Sequence, residues 1–147
     1  MTVLIDADGC PVVDITVECC RKHGIACVIF CDTAHDIHRE GARTLTLDKG
    51  ADSVDFAIAS KAMPGDVVIT QDYGLASMCL ARNARVLHQD GWEYTQWNID
   101  ALLLQRHASR KARASGGRMK GPCKRRPDQN AAFLAALEKL LQHTVQG

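Results

Sequence analysis

The sequence predicts an α/β fold, a three-layer α/β/α sandwich around a mainly parallel sheet. Apolar runs of strand length alternate with helix-length segments along the first two-thirds of the chain. Such alternation is typical of a parallel sheet with helices on both faces. Two of the runs are continuously apolar and rich in Val and Ile, which indicates strands buried on both faces.

The first half supplies three strands and two helices. Residues 2–5 form a short apolar strand that ends at an aspartate, and residues 12–23 form a helix with Pro11 near its start and Gly24 as its stop. Residues 25–31 are an apolar, β-branched run, and residues 43–48 alternate as a half-buried strand does. A second helix follows over residues 52–63, where Pro64-Gly65 ends it.

A fourth strand is predicted over residues 66–70, a third helix over residues 75–84 and a fifth strand over residues 85–87. We then expect a helix after the cap Asn98-Ile99-Asp100 and a final helix capped by Asp128 with an apolar face of Phe133, Leu134, Leu137, Leu140 and Leu141. The 147 residues suit a single domain. We expect an α/β body over residues 1–97, followed over residues 98–147 by a helix, a basic Gly-rich loop and a C-terminal helix.

Composition narrows the protein class. A hydrophobic fraction of 46% and a charged fraction of 24% exclude collagen and wholesale disorder. No apolar run reaches the ~18 residues of a membrane span, and no export signal precedes the first strand. The seven cysteines include no C-x-x-C pair, and five lie in apolar strand-like or helical runs where we expect them to be buried thiols. We therefore expect a cytoplasmic protein without membrane contact, and leave its oligomeric state open.

The formal net charge of +1 conceals two opposite segments. Residues 1–104 carry 15 acidic and 8 basic residues, a net charge of −7, and residues 128–147 sum to −1. Residues 105–127 carry nine basic residues and no acidic one, a net charge of +9. A block of this kind is a candidate polyanion-binding segment. Its expected nucleic-acid contacts are Arg106, His107, Arg110, Arg118, Lys120, Lys124, Arg125 and Arg126.

Carboxylates follow four of the predicted strands, at the edge where parallel α/β sheets bind ligands. They are Asp6 and Asp8, then Asp32 and Asp36, then Asp48, Asp52 and Asp55, then Asp72. Taken singly, Asp52 is explained as a helix cap, Asp66 as a turn residue and Asp32 as a loop acid. Taken together, Asp6, Asp8 and Asp72 favour a site for Mg²⁺ or Mn²⁺, since hard cations offset clustered carboxylates.

Two neighbouring groups extend this edge. Residues 70–74 end a strand and begin a helix, where the Thr70 hydroxyl and the amides of the helix N-terminus could hold a phosphate. Thr70 and Tyr73 are therefore candidate nucleic-acid contacts. His35 and His38 lie in the loop after the second strand, where a surface role is favoured over a metal or acid–base role.

Four motifs in order carry a resemblance that covers nearly the whole chain. They are IDADGCPV (residues 5–12), GADSVDFAIA (50–59), GDVVITQDYGLA (65–76) and NIDALLLQRH with GGRMKGP (98–107 and 116–122). The sequence resembles the YaiI/YqxD family of bacterial proteins, which is similar in turn to PIN-like (NYN-type) nuclease domains.

The similarity to PIN-like nuclease domains implies an acid after the first strand, which Asp6 matches. It also implies an acid at a middle helix, which Asp52 or Asp55 matches. It implies a T-x-D element after the fourth strand, matched by Thr70 and Asp72. It thus implies a Mg²⁺- or Mn²⁺-dependent ribonuclease with Asp6, Asp52, Asp55 and Asp72 at its catalytic centre. Asp8 is an extra acid that suits the YaiI/YqxD family more than the generic PIN-like pattern, and we place it at the same centre.

Two other interpretations stay open. The chain could be a non-enzymatic RNA-binding module in which the acids are structural. It could also be a HAD-like phosphatase, since Asp6–Gly9 imitates the D-x-D-G opening of that superfamily, with Asp6 as nucleophile. The later G-D element of that superfamily follows a strand, whereas Gly65-Asp66 precedes one here.

Overall fold

The computed structural model describes residues 1–48, 50, 53–105 and 124–145. Within these residues the chain forms six strands and five helices, which alternate along most of its length. In chain order they are β1 (Thr2–Asp6), α1 (Val13–His23), β2 (Ala26–Asp32), β3 (Arg43–Leu47), α2 (Ser53–Lys61), β4 (Val67–Ile69), α3 (Tyr73–Ala81), β5 (Arg85–Leu87), β6 (Glu93–Tyr94), α4 (residues 99–105) and α5 (Pro127–Val145).

The strands form one sheet in the order β3-β2-β1-β4-β5-β6. All pairs are parallel except β5 with β6, which is antiparallel. The central strand β1 pairs with β2 on one side and β4 on the other, so the chain direction of these three strands is the same. The predicted α/β fold with a mainly parallel sheet is confirmed, and the residues that follow β1, β2 and β4 meet at one edge.

Two apolar clusters cover the two faces of this sheet. Alternate residues of β1 divide between them: Val3 and Ile5 pack under α1 and α5, and Leu4 packs under α2, α3 and the start of α4. The apolar face predicted for the last helix lies in the first cluster, where Phe133, Leu137 and Leu141 are fully buried. The C-terminal helix therefore shares a core with the sheet.

The five cysteines predicted to be core thiols are free and at most 4% exposed. They are Cys19, Cys20, Cys27, Cys31 and Cys79. They pack on both faces of the sheet.

Helix ends follow local backbone chemistry. Gly24 ends α1 in the left-handed conformation (φ 66°), as predicted, and its amide donates to the Arg21 carbonyl. The sequence predicts the third helix over residues 75–84, but α3 spans Tyr73–Ala81. It begins earlier because Asp72 caps it, and it ends earlier because Asn83 adopts a left-handed φ of 64°.

One element is missed and one prediction is corrected in the C-terminal half. The sequence does not predict the two-residue strand β6, because two residues carry no readable periodicity. Asp128 lies in the first turn of α5 instead of capping it, since the helix begins at Pro127 and the Gln129 side chain accepts the Arg126 amide at 2.7 Å. Proline suits a first helical position because its missing N–H would have no partner there.

The turn between β5 and β6 packs directly on α5. Gly91 has a φ of +95°, and a Cβ there would lie 2.7 Å from the Ala132 carbonyl oxygen. Only glycine permits both this backbone conformation and this approach. The turn and the start of α5 are therefore fixed against each other.

Candidate metal centre

The carboxyl ends of β1, β2 and β4 surround an acidic cleft of about 280 Å³. Five aspartates line it: Asp6, Asp8, Asp32, Asp55 and Asp72. Gly50, Val54 and Gln71 complete the wall. Of the five predicted catalytic acids, four meet here, and Asp52 lies outside the described residues. Parallel strand direction brings Asp6, Asp8, Asp32 and Asp72 together, because β1, β2 and β4 end at the same edge. Asp55 reaches the cleft from the first turn of α2.

Asp6 is the last residue of β1, and its surroundings shift the pKa of its carboxyl group upward. Burial, opposed by the hydrogen bond from Thr70 and aided by the charges of Asp55, Asp72 and Asp8, raises this pKa from the usual 3.8 to about 6. The carboxyl group is thus held among like charges in a partly buried position. A bound cation would offset this repulsion.

Thr70 holds Asp6 in place. Its hydroxyl donates to Asp6 Oδ2 at 2.7 Å and accepts the Asp72 amide at 3.0 Å. The Thr70 side chain is nearly fully buried. We predicted it as a nucleic-acid contact, and the structure places it behind the carboxylate, where it orients Asp6.

Asp72 connects the cleft to α3. Its Oδ1 accepts the Leu75 amide at 3.1 Å and so caps the helix. The helix N-terminus carries partial positive charge, which favours carboxylates at this position. Tyr73, another predicted nucleic-acid contact, is half-buried and packs edge-on against Tyr94 with the ring centroids 5.9 Å apart.

Asp8 follows β1 by two residues and presents an unsatisfied oxygen. Its Oδ1 is buried and has no hydrogen-bond partner among the described residues. A buried carboxylate oxygen without a donor is unfavourable. Either a cation or a further donor would satisfy it, and the cleft beside it is open.

A histidine joins the acids on the β2 side of the cleft. His35 Nδ1 lies 2.9 Å from Asp32 Oδ1 and 3.4 Å from Asp8 Oδ1. The hydrogen bond to His35 is the main cause that lowers the pKa of Asp32. One ligand atom from each of Asp8, Asp32 and His35 lies within 4.8 Å of the others. Sequence reasoning favoured a loop role for Asp32 and a surface role for His35, because no local pattern shows that the loop after β2 folds back to Asp8.

The predicted nucleic-acid contacts divide into two groups. Arg106, His107, Arg110, Arg118 and Lys120 lie outside the described residues. Among the described ones, Lys124 is exposed and Arg126 is exposed beside Asp128, with Nε–Oδ1 at 3.0 Å.

Arg125 anchors the end of the basic block to the rest of the protein. Its side chain donates to Asn130 Oδ1 at 2.6 Å, to Asp90 Oδ1 at 2.9 Å and to the Gln89 carbonyl at 2.7 Å. The side chain is only 20% exposed. It fixes the end of the basic block to the turn that follows β5, and because β5 is parallel to β4, that turn lies at the same edge as the acids.

Fold and site together define a class: an α/β protein with a mainly parallel sheet and an aspartate-lined cleft at its carboxyl edge. The chain belongs to a family described as "Uncharacterized BCR, YaiI/YqxD family", whose model matches residues 4–143. No helix in the described part of the chain is both long and apolar enough to cross a membrane.

Curated relatives agree with this assignment. A UPF0178 protein of Exiguobacterium sibiricum is 48% identical over 141 residues, which cover 96% of each chain. UPF0178 proteins of Natranaerobius thermophilus and Ruminiclostridium cellulolyticum are 42% and 40% identical, over 96% and 100% of this chain and 96% of each relative. No solved structure matches the chain significantly.

Proposed function

We propose that the protein is a divalent-metal-dependent ribonuclease whose ion is held at the carboxyl edge of the sheet. One observation carries the proposal: four predicted catalytic aspartates, Asp6, Asp8, Asp55 and Asp72, line one cleft. The raised pKa of Asp6 fits a site that holds a cation, and so does Asp8 Oδ1, which has no hydrogen-bond partner among the described residues. The resemblance of the acid placement in the sequence, at Asp6, Asp55 and Asp72, to that of PIN-like nucleases favours the same chemistry.

The donor set suits Mg²⁺ or Mn²⁺, since all four side chains offer carboxylate oxygens. Asp6, Asp8 and Asp72 would hold the ion, which when bound lowers the pKa of a water and polarises a phosphoryl oxygen. Thr70 keeps Asp6 in one orientation through the 2.7 Å hydrogen bond. Asp55, in the first turn of α2, adds negative charge to the same cleft.

The basic block would supply the attraction for RNA that the acidic body lacks. Phosphate contacts from Lys and Arg dominate nucleic-acid affinity and make it fall with salt. Arg125, at the end of this block, is hydrogen-bonded to Gln89 and Asp90 in the turn after β5. Since β5 is parallel to β4, this turn lies at the same edge of the sheet as the acids.

The direct test is an RNA-cleavage assay. Purified protein is incubated with mixed single-stranded and structured RNA in Mg²⁺, Mn²⁺ or EDTA, beside an Asp6→Asn/Asp72→Asn variant. We expect cleavage that requires the ion and is abolished in the variant. Cleavage that persists in the variant would show a contaminating nuclease and remove the support for the proposal.

The same preparation separates the other two interpretations. RNA binding with no cleavage under any ion would contradict the nuclease and favour an RNA-binding module. A phosphoaspartate trapped at Asp6 would favour the HAD-like phosphatase.

The basic block has a test of its own. Replacing Arg118, Lys120 and Arg126 with Ala should weaken RNA binding. It should also reduce the slope of log affinity against log salt concentration by about one for each lost phosphate contact. Unchanged binding would exclude this block as the RNA contact.

A further inference from the structure

We propose that Asp8, Asp32 and His35 form a transition-metal subsite, so that the centre prefers a first-row divalent ion such as Mn²⁺ over Mg²⁺. This inference rests on the proposed function, because it specifies the ion that the acidic cleft holds. It adds a nitrogen ligand to a site that sequence reasoning assigned to carboxylates alone.

The spacing of the three ligand atoms fits a shared ion. Neighbouring ligands of an octahedral ion with bonds of ~2.1 Å lie about 3 Å apart. His35 Nδ1 is 2.9 Å from Asp32 Oδ1 and 3.4 Å from Asp8 Oδ1. The three atoms therefore lie at distances that one ion could bridge with small side-chain movements.

A second observation points to a missing ligand at the same place. Asp8 Oδ1 is one of two buried side-chain oxygens, with the Tyr94 hydroxyl, that have no hydrogen-bond partner in the described part of the chain. It is also the atom that faces His35. An ion bound between them would satisfy this oxygen, which the neighbouring imidazole at 3.4 Å does not.

The chemistry of the donors sets the preference among ions. Mg²⁺ is bound through oxygen ligands, whereas imidazole is a common ligand of first-row transition metals. One nitrogen and two carboxylates leave coordination positions for water or a phosphate oxygen. The subsite borders the main acids, since the charge of Asp8 contributes to the raised pKa of Asp6.

The loop after β2 provides a matched control. It contains a second histidine–aspartate pair, with His38 Nε2 at 2.7 Å from Asp36 Oδ1. Both of these side chains are more than 60% exposed, and neither lines the cleft. His38→Gln therefore removes an imidazole from the same loop without touching the subsite.

The experiment is pulsed electron paramagnetic resonance of the protein loaded with Mn²⁺ alone, combined with Mn²⁺ and Mg²⁺ titrations. We expect nitrogen coupling to the bound Mn²⁺ in the wild type and in His38→Gln, and its loss in His35→Gln. We expect Mn²⁺ affinity to fall at least about tenfold in His35→Gln and in Asp32→Asn, with a smaller change for Mg²⁺. Circular dichroism checks that each variant is folded, and His35 is more than half exposed, so its replacement should be tolerated.

The outcomes distinguish this inference from the proposed function. Bound Mn²⁺ without nitrogen coupling, or coupling that survives in His35→Gln, would overturn the subsite and leave the carboxylate centre standing. No Mn²⁺ binding by the wild type would overturn both. Both proposals would be supported if the wild type binds Mn²⁺ with nitrogen coupling and the Asp6→Asn/Asp72→Asn variant binds no Mn²⁺.

Discussion

Replacing Asp6 with Asn should stabilise the metal-free protein at neutral pH while removing a metal ligand. The ionised Asp6 carboxylate is partly buried among Asp8, Asp55 and Asp72, and these surroundings raise its pKa. Asn removes the charge and keeps an oxygen that can accept the Thr70 hydroxyl. Conserving that hydrogen bond leaves the electrostatic change as the main effect.

The size of the expected stabilisation follows from the pKa shift of Asp6. A rise in pKa from 3.8 to about 6 corresponds to about 3 kcal/mol. Since Asp6 is only partly buried, screening by water reduces this figure, and we expect a gain of roughly 1–3 kcal/mol at pH 7.5.

The direction of the pKa shift of Asp6 determines how the stability of the wild type changes with pH. The folded protein binds the Asp6 proton more tightly than the unfolded chain, so wild-type stability falls as pH rises from about 4 to about 6. The advantage of Asp6→Asn should therefore be largest above pH 6 and nearly vanish near pH 4.

Urea unfolding in EDTA at several pH values measures this difference, with Asp66→Asn as the contrasting variant. Asp66 is also buried, but its two oxygens accept the Thr2 amide at 2.9 Å and the Met63 amide at 3.0 Å. Asn cannot replace both acceptors, so this variant should lose about 1–3 kcal/mol. Destabilisation by Asp6→Asn at pH 7.5, or a gain that does not change between pH 5 and pH 7.5, would refute the reasoning.

Three further substitutions, one of them paired with a control variant, test the scaffold of the site. Gly91→Ala should lower the free energy of unfolding by roughly 1–3 kcal/mol, because its Cβ would meet the α5 backbone; an unchanged urea midpoint would contradict this close approach. Arg125→Ala should destabilise by about 1–3 kcal/mol through its three lost hydrogen bonds, whereas Lys124→Ala, at an exposed position, should stay within ~0.5 kcal/mol; equal effects would show that Arg125 is not an anchor. Thr70→Val should raise the pKa of Asp6 above about 6, since it removes the hydrogen bond that lowers it, and an NMR titration in which Asp6 titrates at the wild-type pH or below would exclude that role.

The sequence predicted the elements whose signals are local and strong. Continuous apolar runs identified the inner strands, and the placement of Asp6, Asp8 and Asp72 after two of them predicted their convergence. Parallel strand direction explains this success, because it assigns every strand end to an edge without knowledge of side-chain contacts. The helix stop at Gly24 was readable for a similar reason, since one residue determines it.

The sequence did not reveal contacts that depend on how loops fold back. His35 reaches Asp8 only because the loop after β2 returns to the end of β1. Arg125 belongs to a basic block by composition, yet its 20% exposure and its three acceptors make it an anchor. Charge counts describe what a segment can bind, whereas burial and hydrogen bonds decide which of its members are available to do so.

The proposed activity requires that the acidic cleft hold a divalent ion, and Mn²⁺ titration with measurement of the melting temperature tests this most directly. At about 100 times the dissociation constant, a bound ion stabilises by about 2.7 kcal/mol, or roughly 5–10 °C for a chain of this size. We predict that rise for the wild type and none for Asp6→Asn/Asp72→Asn. A wild-type melting temperature unchanged by Mn²⁺, or an equal rise in the double variant, would contradict the metal centre.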